Sequence, residues 1–260
     1  MTDLIEINNL TKSLIIESGI KKTVLKNLSL KIPLAETGNI TSIIAPLGAG
    51  KSTLLKIISG IEKYDSGSIN FYNSVAQLKP LIPESNSILP WLNVKENITL
   101  WKKLKNEKVS DEKLNQVIAD VGLTNYENYY TQNINSGFQF RIAFARALIF
   151  SPKIILIDES FKDFDADARN EIYQMLKTVV EKYCLQIILT TTNLMEAIYL
   201  SDQIYLMSKN PAEIYFELKT ESKFKNLQDM LVSDTFKLIS QQIQTKFQTH
   251  SGIGLIQYSV

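Results

Sequence analysis

The chain is poor in the residues that carry much of enzyme chemistry. It has one cysteine, Cys184, and one histidine, His250. A lone cysteine excludes an intrachain disulfide and a cysteine-based zinc cluster. The expected role of Cys184 is a small, buried apolar side chain. A lone histidine near the C-terminus excludes a Ser-His-Asp hydrolase and multi-histidine metal sites. No run approaches the roughly eighteen apolar residues of a membrane span. The opening Met1-Thr2-Asp3-Leu4-Ile5-Glu6 lacks a basic region followed by an apolar run, so no targeting segment is expected. A single thiol suits a reducing, cytosolic compartment. Charge of one sign is missing too, because 28 Lys+Arg against 27 Asp+Glu leave +1. Without a basic field, no nucleic-acid partner is expected. Only three basic residues are arginines, Arg141, Arg146 and Arg169.

What remains is ordinary for a soluble globular chain. Its 260 residues are 45% hydrophobic and 21% charged, which excludes disorder, collagen and a disulfide scaffold. That length suits one large domain, or a core with an insertion or tail. Leu28, Leu30 and Ile32 alternate with polar residues, the period of a half-buried strand. Ile40-Thr41-Ser42-Ile43-Ile44 reads as a buried strand, and a helix is expected after it through Ile58, closing at Gly60. A turn at Asp65-Ser66-Gly67 precedes another strand. Leu114, Val117, Ile118 and Val121 fall at helical spacing, with Asp111 expected as N-cap and Gly122 as stop. A second helix should begin near Ser136-Gly137. The run Ile154-Ile155-Leu156-Ile157, flanked by helical patterns, reads as a central parallel strand. Further strands are expected at residues 186–190 and 204–207, with a helix between Ile172 and Val180. Alternating strands and helices predict an α/β sheet covered on both faces. An amphipathic helical tail is expected at the end.

Two segments carry chemistry. Ala45-Pro46-Leu47-Gly48-Ala49-Gly50-Lys51-Ser52-Thr53 has the spacing of a P-loop, with Ala45 in the first glycine's place. Successive backbone N–H groups of such a loop form a nest for phosphates, and the helix N-terminus adds a favourable dipole. Gly50 permits close approach, Lys51 would reach the β/γ-phosphates, and the Ser52 hydroxyl would coordinate Mg²⁺. Asp158-Glu159 closes the apolar run, and ligands of open α/β sheets bind at that carboxyl edge. Asp158 is the expected Mg²⁺ ligand and Glu159 the catalytic group that polarises water. The ligands predicted are a nucleotide with β/γ-phosphates and Mg²⁺; the family resemblance described next makes the nucleotide ATP.

At this point the chain resembles a known family. Pro152-Lys153-Ile154-Ile155-Leu156-Ile157-Asp158-Glu159-Ser160-Phe161, with Asp165 and Arg169 behind it, resembles the Walker B and D-loop of ABC transporter ATP-binding subunits. Leu89-Pro90-Trp91-Leu92-Asn93-Val94 with Glu96-Asn97 is similar to a stretch of the nitrate, sulfonate and taurine importer branch. Arg141-Ile142-Ala143-Phe144-Ala145-Arg146-Ala147-Leu148 resembles the helix after the ABC signature. The segment from Ala197 to Ile214 resembles that branch again. The resemblance implies a P-loop NTPase (RecA-like) core with an N-terminal antiparallel β subdomain and a helical insertion. The domain would cover residues 4–218, with the insertion at about 88–150 and a helical tail at 219–260.

The departures are as informative. By alignment to these motifs, Glu84 takes the place of the metal-sensing glutamine. Asn135, Ser136 and Gly137 take the signature's place, and Thr192 that of the switch histidine. Leu14 lies where an aromatic stacks on adenine, and Ser160 replaces a proline. The family hydrolyses ATP at a head-to-tail dimer interface, so Asn135, Ser136, Gly137 and Thr192 would join the P-loop in binding nucleotide. Glu84 could ligate the metal, but its carboxylate donates no hydrogen bond. Thr192 is too short to reach a γ-phosphate, and losing one positioned donor costs about 10²–10³ in rate elsewhere.

Two functions are therefore expected. One is an importer's ATPase subunit, peripheral on the cytoplasmic membrane face, with transmembrane permease subunits, a second ATPase subunit and, indirectly, a solute-binding protein as partners. The other is a catalytically degenerate, nucleotide-binding subunit that pairs with an intact paralogue. Phe138, Phe140 and Phe144 are expected in the insertion's core or at a dimer contact, and Trp91 at the permease surface.

Overall fold

The computed structural model describes residues 4–15, 19–33, 35–72, 78–85, 88–132, 134–220 and 224–251. The start of the chain and residues 252–260 of the expected tail lie outside them. Strands β1 (Leu4–Ile15), β2 (Lys21–Pro33) and β4 (Ser66–Phe71) form an antiparallel sheet in the order β2-β1-β4. The second sheet contains β3 (Asn39–Ile44), β5 (Leu81–Ile82), β6 (Ile154–Asp158), β7 (Gln186–Thr191), β8 (Gln203–Met207) and β9 (Ile214–Lys219). Its order is β5-β6-β7-β3-β8-β9, parallel except for the antiparallel β9 at one edge.

The apolar runs become strands because both faces of this sheet are covered. Side chains alternate across a strand, and the two sets enter two different cores. Ile155 and Ile157 of β6, Ile187 and Leu189 of β7, and Ile204 and Leu206 of β8 pack on one face. Ile154, Leu156, Ile188, Tyr205 and Met207 pack on the other. The first face meets α4 (Ser136–Leu148), α5 (Ala166–Tyr183), α6 (Leu194–Leu200) and α8 (Asp234–Ser251). The second meets α1 (Lys51–Ser59) and the apolar side of the antiparallel sheet, including Ile5, Ile7, Leu28 and Leu30. The P-loop is thereby clamped between the main sheet and the β subdomain.

Between β5 and β6 lie α2 (Val94–Leu104), α3 (Asp111–Asp120) and α4. Phe140 and Phe144 are buried and stack at 5.7 Å, while Phe138 meets Tyr126 edge-on. They belong to the helical core. α7 (Leu227–Val232) and α8 follow β9.

Two local expectations change. The N-cap of α3 is Ser110, whose hydroxyl accepts from the Lys113 N–H, and Asp111 is the first helical residue. A hydroxyl one residue earlier reaches the free N–H groups, and Asp111 then sits favourably in the first turn. Cys184 is exposed, not buried. It caps α5 in the left-handed conformation, φ 49°, where the chain reverses into β7 and the side chain projects outward. Strand β9 and the short helix α6 have no periodic signal in the sequence. β9 has an irregular burial pattern at the sheet's edge, and α6 is nearly all buried.

Asn97 organises the insertion. It is fully buried in α2. Its amide nitrogen donates to the carbonyls of Leu89, Leu92 and Asn93, and its Oδ1 accepts from the Leu89 N–H and from Arg146. Arg146 also donates to the Asn97 carbonyl at 2.9 Å. Asn93 and Glu96 form a capping box at the start of α2. This network fixes the loop that presents Trp91. Asn97→Ala leaves several buried groups without partners and should lower stability by about 2–4 kcal/mol, read as a shifted urea midpoint. A shift below about 0.5 kcal/mol, the range of ordinary surface changes, would show that the network is dispensable.

Candidate functional site

The P-loop follows β3 and turns into α1. Gly50 occupies the N-cap with φ 96° and no side-chain cap. A Cβ there would lie 2.7 Å from Val24 Cγ1, so both the backbone angle and the space demand glycine. No acidic residue occupies the first turn of α1, which leaves its positive end open to an anion. Lys51 is buried, at 3% exposure. Its Nζ donates to the carbonyls of Ala45 at 2.7 Å and Pro46 at 3.0 Å, and pairs with Glu159 at 3.0 Å. Burial pushes the lysine pKa down, and Glu159, then Asp158 and Glu84, pull it back up. Lys209 donates to the Leu47 carbonyl and lies beside Gly48. Ser52 and Thr53 start α1, with Ser52 half-buried. Ala49 closes the loop by donating its N–H to Pro46.

Asp158 ends β6 and is buried, with Oδ1 accepting from the Thr190 hydroxyl of β7 at 2.7 Å. Glu159 has left the strand. Its φ is 43°, in the left-handed region, and its N–H donates to the Thr190 carbonyl. That break lets the carboxylate reach Lys51. The Ser160 hydroxyl donates to the carbonyl of Pro83 at 3.2 Å, a bond that a proline at this position has no group to make. It ties this turn to the segment bearing Glu84.

A cavity of 330 Å³ opens at this carboxyl edge. Ala45, Pro46, Leu47, Glu159 and Thr192 line it together, so the structure unites five of the sequence-derived candidates there. Lys162, Arg169, Asn193, Glu196 and Phe247 share the wall and escaped the sequence reading as cavity residues. Arg169 was visible only as part of a D-loop resemblance, and Phe247 comes from α8, far away in sequence. Thr192 is exposed, and Asn193 caps α6 through Oδ1. Glu84 is half-exposed and pairs with Lys162 at 3.2 Å.

The candidates at 135–137 lie elsewhere. Asn135 and Gly137 line a different cavity with Arg141, Ala168 and Glu171. Asn135 Oδ1 caps α4 by accepting from the Phe138 N–H, which leaves its amide N–H₂ as the donor group. The Ser136 hydroxyl donates to the Asp163 carbonyl. A Cβ on Gly137 would meet the Ala168 methyl at 3.2 Å, so a side chain there would press against α5. Leu14 lies in β1 opposite Lys22 and does not line the P-loop cavity. Trp91 is 65% exposed on its fixed loop.

Comparison with known proteins identifies the family and the fold. A family model described as "ABC transporter" matches residues 25–162. The chain is 31% identical over 260 residues to an aliphatic sulfonates import ATP-binding protein SsuB of Bacillus cereus, covering 98% of this chain and 99% of the relative. It is 32% identical to the SsuB of Bacillus anthracis, again over 98% and 99%. The dimeric structure of MJ0796, a bacterial ABC transporter cassette, superposes with a TM-score of 0.69 at 23% identity. That superposition covers 84% of this chain and 99% of the cassette.

On the cavity wall, Glu196 is buried with Oε1 unpaired, near Arg169 and Tyr173, whose Nε and hydroxyl are also unpaired. Burial pushes its carboxyl up to about 8, against the pull of Thr191, Tyr173 and Arg169. The unfolded chain releases this proton near 4.5 and the folded protein near 8. Between the two, the folded state holds the extra proton, so stability falls as pH rises through that window. Glu196→Gln removes this contribution. Urea midpoints from pH 5 to 8 should therefore fall more steeply for the wild type than for the variant. Parallel curves would overturn the buried, protonated carboxyl.

Proposed function

The chain belongs to the ABC transporter family as an ATP-binding subunit, and from that premise we propose that it couples MgATP binding and hydrolysis to the import of a small anion of the nitrate, sulfonate or taurine kind. The observation that carries this reading is the buried Lys51 ammonium at the carboxyl edge of the sheet, held by two loop carbonyls and Glu159. Phosphate oxygens are better partners for an ammonium than carbonyls. When they take Lys51, Glu159 is released to polarise water. The loop residues Ala45 to Thr53 would cradle the phosphates. Ser52, Asp158 and Glu84 would hold Mg²⁺, which supplies charge neutralisation at the β/γ-phosphates. Among the described residues no group of three or more carboxylates, histidines or cysteines is poised around one metal point. That suits Mg²⁺, which binds through one or two carboxylates plus substrate phosphates.

The separation of residues 135–137 from the P-loop cavity supports a head-to-tail pair, in which one subunit's α4 N-terminus meets the other's nucleotide. Trp91, exposed on a loop fixed by Asn97, supports a permease contact, since a presented aromatic is a common interface anchor. No described helix is long and apolar enough to cross a membrane, so the permease subunits would hold this subunit at the cytoplasmic face. A solute-binding protein would act through the permease. The importer relatives' sulfonate specificity, read from their names, supports the solute class.

A second reading rests on Thr192. It lines the cavity with Glu159 but brings no imidazole, so the group that joins base, water and γ-phosphate is missing. A subunit of this kind would bind nucleotide and turn it over slowly beside an intact paralogue.

Lys51→Ala should abolish MgATP binding or weaken it by more than about 10²-fold, since several charge-assisted contacts vanish. Equal affinities in calorimetry would sink the site. Thr192→His should raise turnover with little change in ATP affinity, because a misplaced water costs rate and not binding. A wild-type homodimer that already turns over at about 1 s⁻¹ or more removes the second reading.

A further inference from the structure

The turn after Glu159 carries a cation that nothing above has used. Lys162 lines the P-loop cavity beside Leu47, Glu159 and Thr192. Its Nζ pairs with Glu84 at 3.2 Å, and both side chains are half-exposed, at 55% and 54%. An ion pair this exposed adds little to stability, so stability does not account for it. Its position is nonetheless fixed from below. The Ser160 hydroxyl donates to the Pro83 carbonyl, lacing the Lys162 turn to the segment that carries Glu84.

The cavity wall thus carries one member of each of two ion pairs, Glu159 of the pair with Lys51 and Lys162 of the pair with Glu84. Each joins a cation with the reach to meet phosphate to a carboxylate with a role elsewhere. Arg169, the other cation on the wall, is half-buried and donates to the Phe164 carbonyl, whereas the Lys162 side chain is exposed. We propose that Lys162 is a ligand of the terminal phosphate of bound ATP, leaving Glu84 for the nucleotide when MgATP enters. This rests on the nucleotide-site reading and adds to it a residue that distinguishes triphosphate from diphosphate. The released Glu84 is then free for the metal ion.

The test is calorimetric titration of the full chain with Mg²⁺ and the β,γ-imido analogue of ATP, and separately with MgADP. Lys162→Met should weaken the triphosphate analogue about tenfold or more, the size of one charge-assisted contact. It should leave MgADP within about twofold, and Lys162→Arg should recover most of the loss. The same comparison in a Glu84→Gln background separates contact from neutralisation. If Lys162 touches phosphate, the loss persists there. If it merely screens Glu84, the loss disappears and the proposal is overturned. Equal weakening of both nucleotides, or of neither, also overturns it. Wild-type protein that binds neither nucleotide would overturn the site reading along with it, whereas binding of both without a Lys162 effect overturns this inference alone.

Discussion

A buried ammonium is the constraint on which the site depends. Lys51 is almost fully removed from water, and an unpaired charge there would be strongly destabilising. The fold answers with two carbonyls of a tight loop and one carboxylate from the end of the neighbouring apolar strand. Each answer has its own requirement. The loop carbonyls of Ala45 and Pro46 point inward, and Gly48 and Gly50 take the positive φ with which the loop turns into α1. The carboxylate arrives because Glu159 breaks from β6 into the left-handed region, with its N–H still bonded to β7. A backbone held in that region costs energy at a non-glycine residue, and here it sits where the chemistry would occur. The arrangement stores an exchange: the partners that solvate Lys51 are weaker than phosphate, and one of them is the candidate base.

The sheet makes that exchange possible. Both of its faces are covered by apolar side chains, so the strand ends are rigid while the loops beyond them face a cavity. Parallel β3, β6 and β7 bring the P-loop, Asp158 and the Thr191-Thr192-Asn193 turn to one edge. Asp158 is further fixed by Thr190 from the adjacent strand. Farther out, α2 and α4 are joined by the Asn97–Arg146 contacts, which explains why an arginine is kept in a chain with only three. Its guanidinium serves a carbonyl and an amide oxygen in one rigid fork, a geometry that lysine does not reproduce.

How much of this was legible in the sequence follows from how each signal arises. Buried strands were readable because a strand with both faces covered must be apolar at every position, as in Ile154-Ile155-Leu156-Ile157. The P-loop was readable because phosphate binding fixes residue types at close spacing. The capping of α3 was off by one, since Ser110 and Asp111 are both good caps and only geometry decides between them. Cys184 was misplaced because composition reports how often a thiol is buried, not that this one ends a helix in a left-handed turn. β9 was missed because an edge strand need not alternate cleanly. Lys162, Glu196 and Phe247 were missed as cavity residues because they reach the wall from separate segments with no shared spacing. Their grouping is a product of topology.

The departures from the family pattern also look different once contacts are known. Taken alone, Glu84 places a negative charge beside phosphates and metal, and Ser160 loses the rigidity of proline. In the structure each is accommodated by a neighbour. Glu84 is paired with Lys162, and Ser160 uses its hydroxyl to bind the Pro83 carbonyl. These substitutions lie on two segments that touch, so they are coupled, and neither can be valued without the other. Thr192 has no such compensation. Its neighbours are occupied, with Asn193 capping α6 and Glu196 buried behind it. No described side chain with an imidazole lies on the cavity wall, and the only histidine in the chain, His250, stacks on Tyr215. Binding and hydrolysis therefore separate along a physical line. On the proposed reading, the groups that would attract a triphosphate are paired with carboxylates, while no imidazole stands on the described cavity wall to align water with it. A subunit built this way would bind nucleotide, and its rate of turnover would depend on how well Glu159 alone orients the water.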